Sequence, residues 1–324
     1  MGERVYVTRP LPAPGTEPLV AAGFDVDQQP HDRPATRDEL LDHAAGADAV
    51  LSMLTDRIDG ELLDAAPQVK VVANLAVGFD NMDVGAATAR GVVLTNTPGV
   101  LTDATADLAF TLLLAAARRV GEGERMVRSG GWTVWGPTQL LGRAVAGATL
   151  GIVGMGAIGS AVAERARGFG MAVAYFNRHR DPEAERRTGA RYVPLDELLA
   201  TADFVTLHAP LNDESRHLID AAALSRMKPT AVLVNTSRGA LVDEAALVES
   251  LRAGAIAAAG LDVYEDEPRL APGLADLDNV VLLPHIGSAT TATRAAMVEL
   301  ACANIAAVLH GQPPPTPLNP KASR

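Results

Sequence analysis

Short apolar runs recur along this chain between longer helix-like segments, and few of them alternate apolar with polar residues. A strand with one wet face shows that alternation, whereas a strand covered by helices on both faces does not. The runs fall at residues 5–7, 49–53, 69–74 and 92–95, and then at 149–153, 172–176, 204–208, 231–235, 258–263 and 280–283. This pattern predicts parallel α/β architecture in two blocks. A helix-like stretch at 103–120, with Asp103 and Thr105 as expected caps, separates the blocks. Another at 290–309 closes the chain ahead of a proline-rich tail (Pro313, Pro314, Pro315, Pro317, Pro320), expected to run extended over the surface. At roughly 150 residues per domain, 324 residues also suit two domains.

Charge narrows the possible partners. Lys and Arg total 28 against 39 Asp and Glu, a formal net charge of −11, and no block of like charge forms. A protein that wraps phosphate backbones carries a basic face, so no nucleic-acid partner is expected. The single cysteine, Cys302, excludes an internal disulfide framework and a multi-cysteine metal site, and it reads as a core residue. No metal is expected. Residues 144–163 carry no charge and are long enough to cross a bilayer, but Gly147, Gly151, Gly154, Gly156 and Gly159 interrupt them. The N-terminus enters Val5-Tyr6-Val7 without a signal-like region, so a cytoplasmic protein with no membrane partner is expected.

The glycines have a better explanation. Gly154-Met155-Gly156-Ala157-Ile158-Gly159 fits G-x-G-x-x-G, follows an apolar run and opens a helix-like segment at 160–169. In that setting Gly154 allows a tight turn, Gly156 a close approach to pyrophosphate, and Gly159 close packing of helix on strand. Helix amides would then face the phosphates. The packed face of that helix is expected to include Ala161, Val162, Ala166 and Phe169. About 20 residues on, an acidic residue normally meets the ribose 2′-hydroxyl. Asn177-Arg178-His179-Arg180 stands there instead. Without the carboxylate, Arg178 and Arg180 are placed to pair with a 2′-phosphate. NADP(H) is therefore favoured, with NAD(H) possible. The alternative is that these arginines only solvate an exposed turn.

Three further patterns lie at strand ends in the second block, where open α/β sheets bind ligands. They are Asn235-Thr236-Ser237-Arg238-Gly239, Gly260-Leu261-Asp262-Val263-Tyr264-Glu265-Asp266-Glu267-Pro268 and Leu283-Pro284-His285-Ile286-Gly287-Ser288. Arginine offers a planar fork suited to a carboxylate. In this order, behind the glycine motif, the patterns resemble the D-isomer-specific 2-hydroxyacid dehydrogenases. The segments 74–83, 96–107 and 130–135 resemble the glyoxylate and hydroxypyruvate reductase branch of that family.

The resemblance implies a reaction and a set of roles. Small 2-oxoacids would be reduced, glyoxylate to glycolate and hydroxypyruvate to D-glycerate. His285 would protonate the carbonyl oxygen, Glu267 would hold His285 in its charged form, and Arg238 would anchor the substrate carboxylate. The amides of Val77 and Gly78 would take the other side of that carboxylate, although the pair also suits a tight turn. Thr102 and Asp262 would lie at the nicotinamide end, Asp262 being otherwise an ordinary strand end. His208-Ala209-Pro210 would pass the adenosine. Thr236, Ser237 and Gly287 complete the expected cofactor contacts, and Leu54 and Trp135 the substrate pocket. Trp135 on its loop implies a homodimer.

The implied fold is two doubly wound parallel-sheet domains, a Rossmann-type nucleotide domain inserted into a flavodoxin-like substrate domain. The substrate domain would comprise 1–100 and 287–324, and the NAD(P)-binding domain 101–286. Related enzymes on this scaffold are alternatives. Formate dehydrogenases place Gln where Glu267 stands, many phosphoglycerate dehydrogenases carry a regulatory domain not expected beyond Arg324, and phosphite dehydrogenases remain open. A different class, the dinucleotide-sensing corepressors, keeps the same three residues but usually carries long disordered tails.

Overall fold

The computed structural model describes residues 2–320 and 322. The chain forms two compact units, one of residues 1–101 with 288–324, the other of residues 102–287. The first holds five parallel strands: β1 (Arg4–Val7), β2 (Asp25–Gln28), β3 (Ala49–Ser52), β4 (Val71–Asn74) and β5 (Val93–Thr95). Their order, β2-β1-β3-β4-β5, is the doubly wound flavodoxin-like order. The second unit holds β6 (Thr149–Val153), β7 (Ala172–Phe176), β8 (Arg191–Tyr192), β9 (Phe204–Leu207), β10 (Val232–Asn235), β11 (Ala258–Leu261) and β12 (Val280–Leu282). Its order, β12-β11-β10-β9-β6-β7-β8, is all parallel and reverses at the β6/β9 crevice.

The apolar runs form strands β1, β3 to β7 and β9 to β12, and residues 71–74, 204–207, 232–235 and 258–261 are buried along their whole length. Two strands escaped the sequence reading. β2 is polar (Asp-Val-Asp-Gln) and lies at a sheet edge, and β8 has only two residues at the other sheet's edge. Edge strands need no apolar run because one side is open to water.

Three local expectations are corrected. The helix after the first block is Thr102–Ala117, so Asp103 and Thr105 sit inside its first turn and do not cap it. Arg119, in the left-handed conformation, then starts a separate helix, Val120–Arg128. Phe169 ends the helix Ala157–Gly168 and stays 38 % exposed, its ring 5.0 Å from that of Phe110, whereas Ala161, Val162 and Ala166 are buried.

The last helix, Thr291–Leu309, is capped by the side chain of Thr290. It is long and apolar enough to cross a membrane, and in the fold it packs against β3, β4 and β5. Cys302 is buried on it, and burial pushes its thiol up to about 12. The proline-rich tail is more than a surface strap. Pro317 bridges antiparallel to Thr95, Leu318 N–H donates to Leu94 O at 2.8 Å, and the Asn319 side chain accepts from Leu94 N–H at 2.8 Å. The tail thus covers the β5 edge, which would otherwise present unpaired backbone groups.

Candidate active site

The glycine motif leaves β6 at the point where the strand order reverses, the position where open α/β sheets bind ligands. Gly154 has φ +100°, and a Cβ there would lie 2.5 Å from the backbone of His208 and Ala209. At Gly159 a Cβ would meet Gly154 O at 2.2 Å, which is why the helix can sit so close to the turn. Gly156 differs from both. It is the N-cap of the helix Ala157–Gly168, and among the described residues no side chain caps it and a Cβ there would meet nothing within 4 Å. Uncapped first-turn amides beside Gly156, with Ala157 exposed and Ile158 half-buried, fit the pyrophosphate of a dinucleotide. Met155 faces inward: its side chain is buried and its N–H donates to Asn177 Oδ1 at 2.7 Å.

The corner after β7 holds two arginines with different commitments. Arg180 makes two 2.7 Å bonds to Glu185, which also accepts from Tyr175 Oη at 2.9 Å. The guanidinium and the hydroxyl together hold the Glu185 carboxyl down at about 2. Among the described residues Arg178 pairs with the exposed Glu214 at 2.8 Å. His179 is exposed between them.

After β9, His208 is neutral. Desolvation pushes its pKa down to about 3, and its Nε2 lies 2.9 Å from Thr206 Oγ1. Ala209 O accepts from Ser237 Oγ at 2.6 Å, and Pro210 is exposed. The segments after β9 and β10 are therefore tied together. Thr236 is buried, and no hydrogen-bond partner reaches its hydroxyl among the described residues. Thr102 is half-buried at the start of its helix.

Arg238, Glu267 and His285 follow β10, β11 and β12, three adjacent strands. His285 Nδ1 lies 2.9 Å from Glu267 Oε2, and Glu267 Oε1 accepts from Tyr264 N–H at 3.0 Å. Burial raises the Glu267 carboxyl, but the hydrogen bond and charge of His285, the Tyr264 amide and the charge of Arg238 outweigh it. The net shift is downward, so Glu267 is ionised. His285 has φ +54°, a left-handed conformation rare outside glycine and asparagine. Such backbones persist where the surroundings fix them, commonly at functional sites.

Asp262 is what fixes it. Fully buried, Asp262 accepts from the amides of Ile286 at 2.8 Å and Gly287 at 2.7 Å, and its carbonyl accepts from His285 N–H at 2.8 Å. The structure thus places Asp262 as the anchor of the His285 loop. Two further anchors carried no role in the sequence reading. Asn235 donates to Arg238 O at 2.8 Å and accepts from Ser237 N–H at 3.0 Å. Buried Glu244 accepts from Glu265 N–H at 2.7 Å, under the loop that carries Glu267. The signal for Asn235 was a polar residue ending an apolar run; Glu244 left none.

In the first unit, Leu54, Val77 and Gly78 lie just past the carboxyl ends of β3 and β4, all half-buried. Trp135, in the second unit, is 73 % exposed on an irregular segment. A cavity of about 290 Å³ in that unit lies by the amino ends of β10, β11 and β12, lined by Arg119, Gly142, Val232, Ala258 and Val281 among others. It is at the opposite end of the sheet from Arg238, Glu267 and His285. Among the described residues no cluster of three metal-ligating side chains occurs.

A dinucleotide cradle at the switch point and an Arg–Glu–His set on the adjacent strand ends define a nicotinamide-dependent oxidoreductase. The family described as the NAD-binding domain of D-isomer specific 2-hydroxyacid dehydrogenases matches residues 110–287. A glyoxylate reductase of Thermococcus onnurineus is 50 % identical over 323 residues, covering 98 % of this chain and 96 % of that protein. One of Aeropyrum pernix is 49 % identical over 322 residues, again covering 98 % and 96 %. The NADPH-dependent glyoxylate/hydroxypyruvate reductase of Sinorhizobium meliloti, solved with NADP and malonate, superposes with a TM-score of 0.86 at 34 % identity, covering 100 % of this chain and 99 % of that one. The chain belongs to the D-isomer specific 2-hydroxyacid dehydrogenases.

Proposed function

We propose that this enzyme reduces glyoxylate and hydroxypyruvate, using NADPH in preference to NADH. The observation that carries the reading is the pair of His285 and ionised Glu267 beside the charge of Arg238. With Nδ1 held by Glu267, the Nε2 of His285 is the nitrogen that gives a proton to the substrate carbonyl oxygen. Arg238 takes the substrate carboxylate with its fork and polarises the ketone. The amides of Val77 and Gly78 take the same carboxylate. When bound, the nicotinamide supplies the hydride. Hydride at carbon and proton at oxygen turn the 2-oxoacid into a 2-hydroxyacid. Residues 1–100 with 287–324 serve as the substrate domain and 101–286 as the nucleotide domain.

The NADPH preference rests on Arg178. Arg180 is committed to Glu185, whereas the partner of Arg178 is an exposed acid that a 2′-phosphate can replace. Initial rates with glyoxylate, hydroxypyruvate and pyruvate, each with NADPH and NADH, test both parts. The first two are expected to be turned over faster with NADPH. Arg178→Ala should raise the KM for NADPH about tenfold, the order of one charge-assisted contact, and leave NADH within about twofold. An unchanged preference in that variant would remove the assignment of Arg178.

The homodimer rests on apolar residues left at the surface of one stretch. Trp132, Val134, Trp135 and Leu141 are all more than half exposed, and among the described residues the helix Val120–Arg128 buries none of its side chains. Such residues mark an interaction face. Light scattering is expected to give twice the 33.7 kDa chain mass. Trp135→Ser should weaken the dimer, and a monomeric wild type would refute it.

A further inference from the structure

The loop after β4 is held by a set of side chains that the proposed chemistry does not yet use. Asn74, the fully buried last residue of β4, donates to Gly78 O at 3.0 Å and to Asn81 Oδ1 at 3.1 Å. Its own Oδ1 accepts from Ser52 Oγ at 3.2 Å, which fixes the orientation of the amide. Asn96, just past β5, donates to Val77 O at 2.7 Å. Thr97 N–H donates to Ala76 O at 2.9 Å. Three successive carbonyls, of Ala76, Val77 and Gly78, are therefore each bonded to the body of the unit. Because each peptide plane is rigid, fixing the carbonyls also fixes where the intervening N–H groups point. Among the described residues no acceptor lies on the N–H of Val77 or Gly78. Two adjacent half-buried amides, with their carbonyls bonded and no acceptor on them among the described residues, are left available to an anion.

We infer that Asn74 and Asn96 are positioning residues that hold the Val77–Gly78 amides as a preformed seat for the substrate carboxylate. The inference rests on the reading that these amides bind that carboxylate. It goes further in assigning the strength of the contact to two buried asparagines that do not touch the substrate. A loop free to rotate would lose ordering entropy on each binding event, and a preset one does not. The same device recurs in the other unit, where Asn235 at the end of β10 donates to Arg238 O. Both carboxylate-binding elements thus leave their strands through an asparagine.

The test separates binding of the oxoacid from cofactor binding and from folding. Asn96→Ala, and Asn96→Ser as a second truncation that keeps a hydroxyl, are each expected to raise the KM for glyoxylate and the Ki of oxamate about tenfold. The Kd for NADPH should stay within about twofold and kcat within about threefold. A folded variant with unchanged KM and Ki overturns the inference. So does a joint fall of kcat, oxoacid affinity and NADPH affinity, or failure of both variants to fold, because either places Asn96 in the general architecture. Hydrogen exchange on the wild-type enzyme tests the underlying reading independently. The Val77 and Gly78 amides should exchange quickly with NADPH alone and slow at least tenfold when oxamate is added. No slowing there, with oxamate bound, removes the carboxylate seat itself and the inference with it.

Discussion

His285→Asn is expected to lower kcat for glyoxylate reduction by about 10²- to 10⁴-fold, the contribution of a positioned proton donor. Asparagine is the informative substitute. It tolerates the left-handed backbone that His285 adopts and can still hydrogen-bond Glu267, so the fold of the loop is retained while proton transfer is lost. The Kd for NADPH should stay near the wild-type value. Glu267→Gln should cost less, because an amide still holds the ring but does not stabilise its charged form.

The acid side follows from Glu267 itself. Its carboxyl lies below the ordinary range in the folded protein, so the stability it contributes is fully present above about 4.3 and is lost as pH falls through the folded value. Glu267 should therefore stay ionised from about pH 5 upward, and any loss of activity above pH 5 has another source. A rate for His285→Asn within about fivefold of wild type, in protein of native stability, would remove His285 as the proton donor.

The parts of this site legible in the sequence are those with a local signature. The glycine motif is local, and so is the helix that follows it. Arg238, Glu267 and His285 each come just after an apolar run, and the runs became β10, β11 and β12. What stayed illegible is set by pairs distant in sequence. The partner of Arg178 is 36 residues away, and the Asn96–Val77 bond spans 19. A composition of mixed Arg and Glu offers many such pairs, and only the folded chain selects among them. β2 was missed for a different reason: its residues Asp25 and Asp27 are strand-poor types that the sheet edge tolerates.

Gly239 carries no signal in the sequence beyond standing next to Arg238, yet its replacement is expected to have one of the largest effects on stability. A Cβ there would lie 1.8 Å from the carbonyl carbon of Tyr264, 2.1 Å from its oxygen and 2.2 Å from Glu265 N. All three are backbone atoms of the loop that carries Glu267, and that loop is tied by Glu244 and by the bond of Tyr264 Oη to Leu283 O at 2.9 Å. Neither side can yield cheaply, so Gly239→Ala should cost about 3 kcal/mol or more. For a unit of this size that lowers the thermal midpoint by about 6 °C or more. Because the loop must move away from Arg238 to admit the methyl group, kcat should fall as well, even at temperatures where the variant is folded. Gly156→Ala is the matched control. Its added Cβ meets no protein atom, so its midpoint should hold while its affinity for NADPH falls about tenfold or more, the methyl lying where the helix amides receive pyrophosphate. Differential scanning calorimetry with NADPH titration distinguishes the two. A Gly239→Ala protein melting within about 2 °C of wild type would mean that the segments after β10 and β11 are not in the contact that brings Arg238 and Glu267 together.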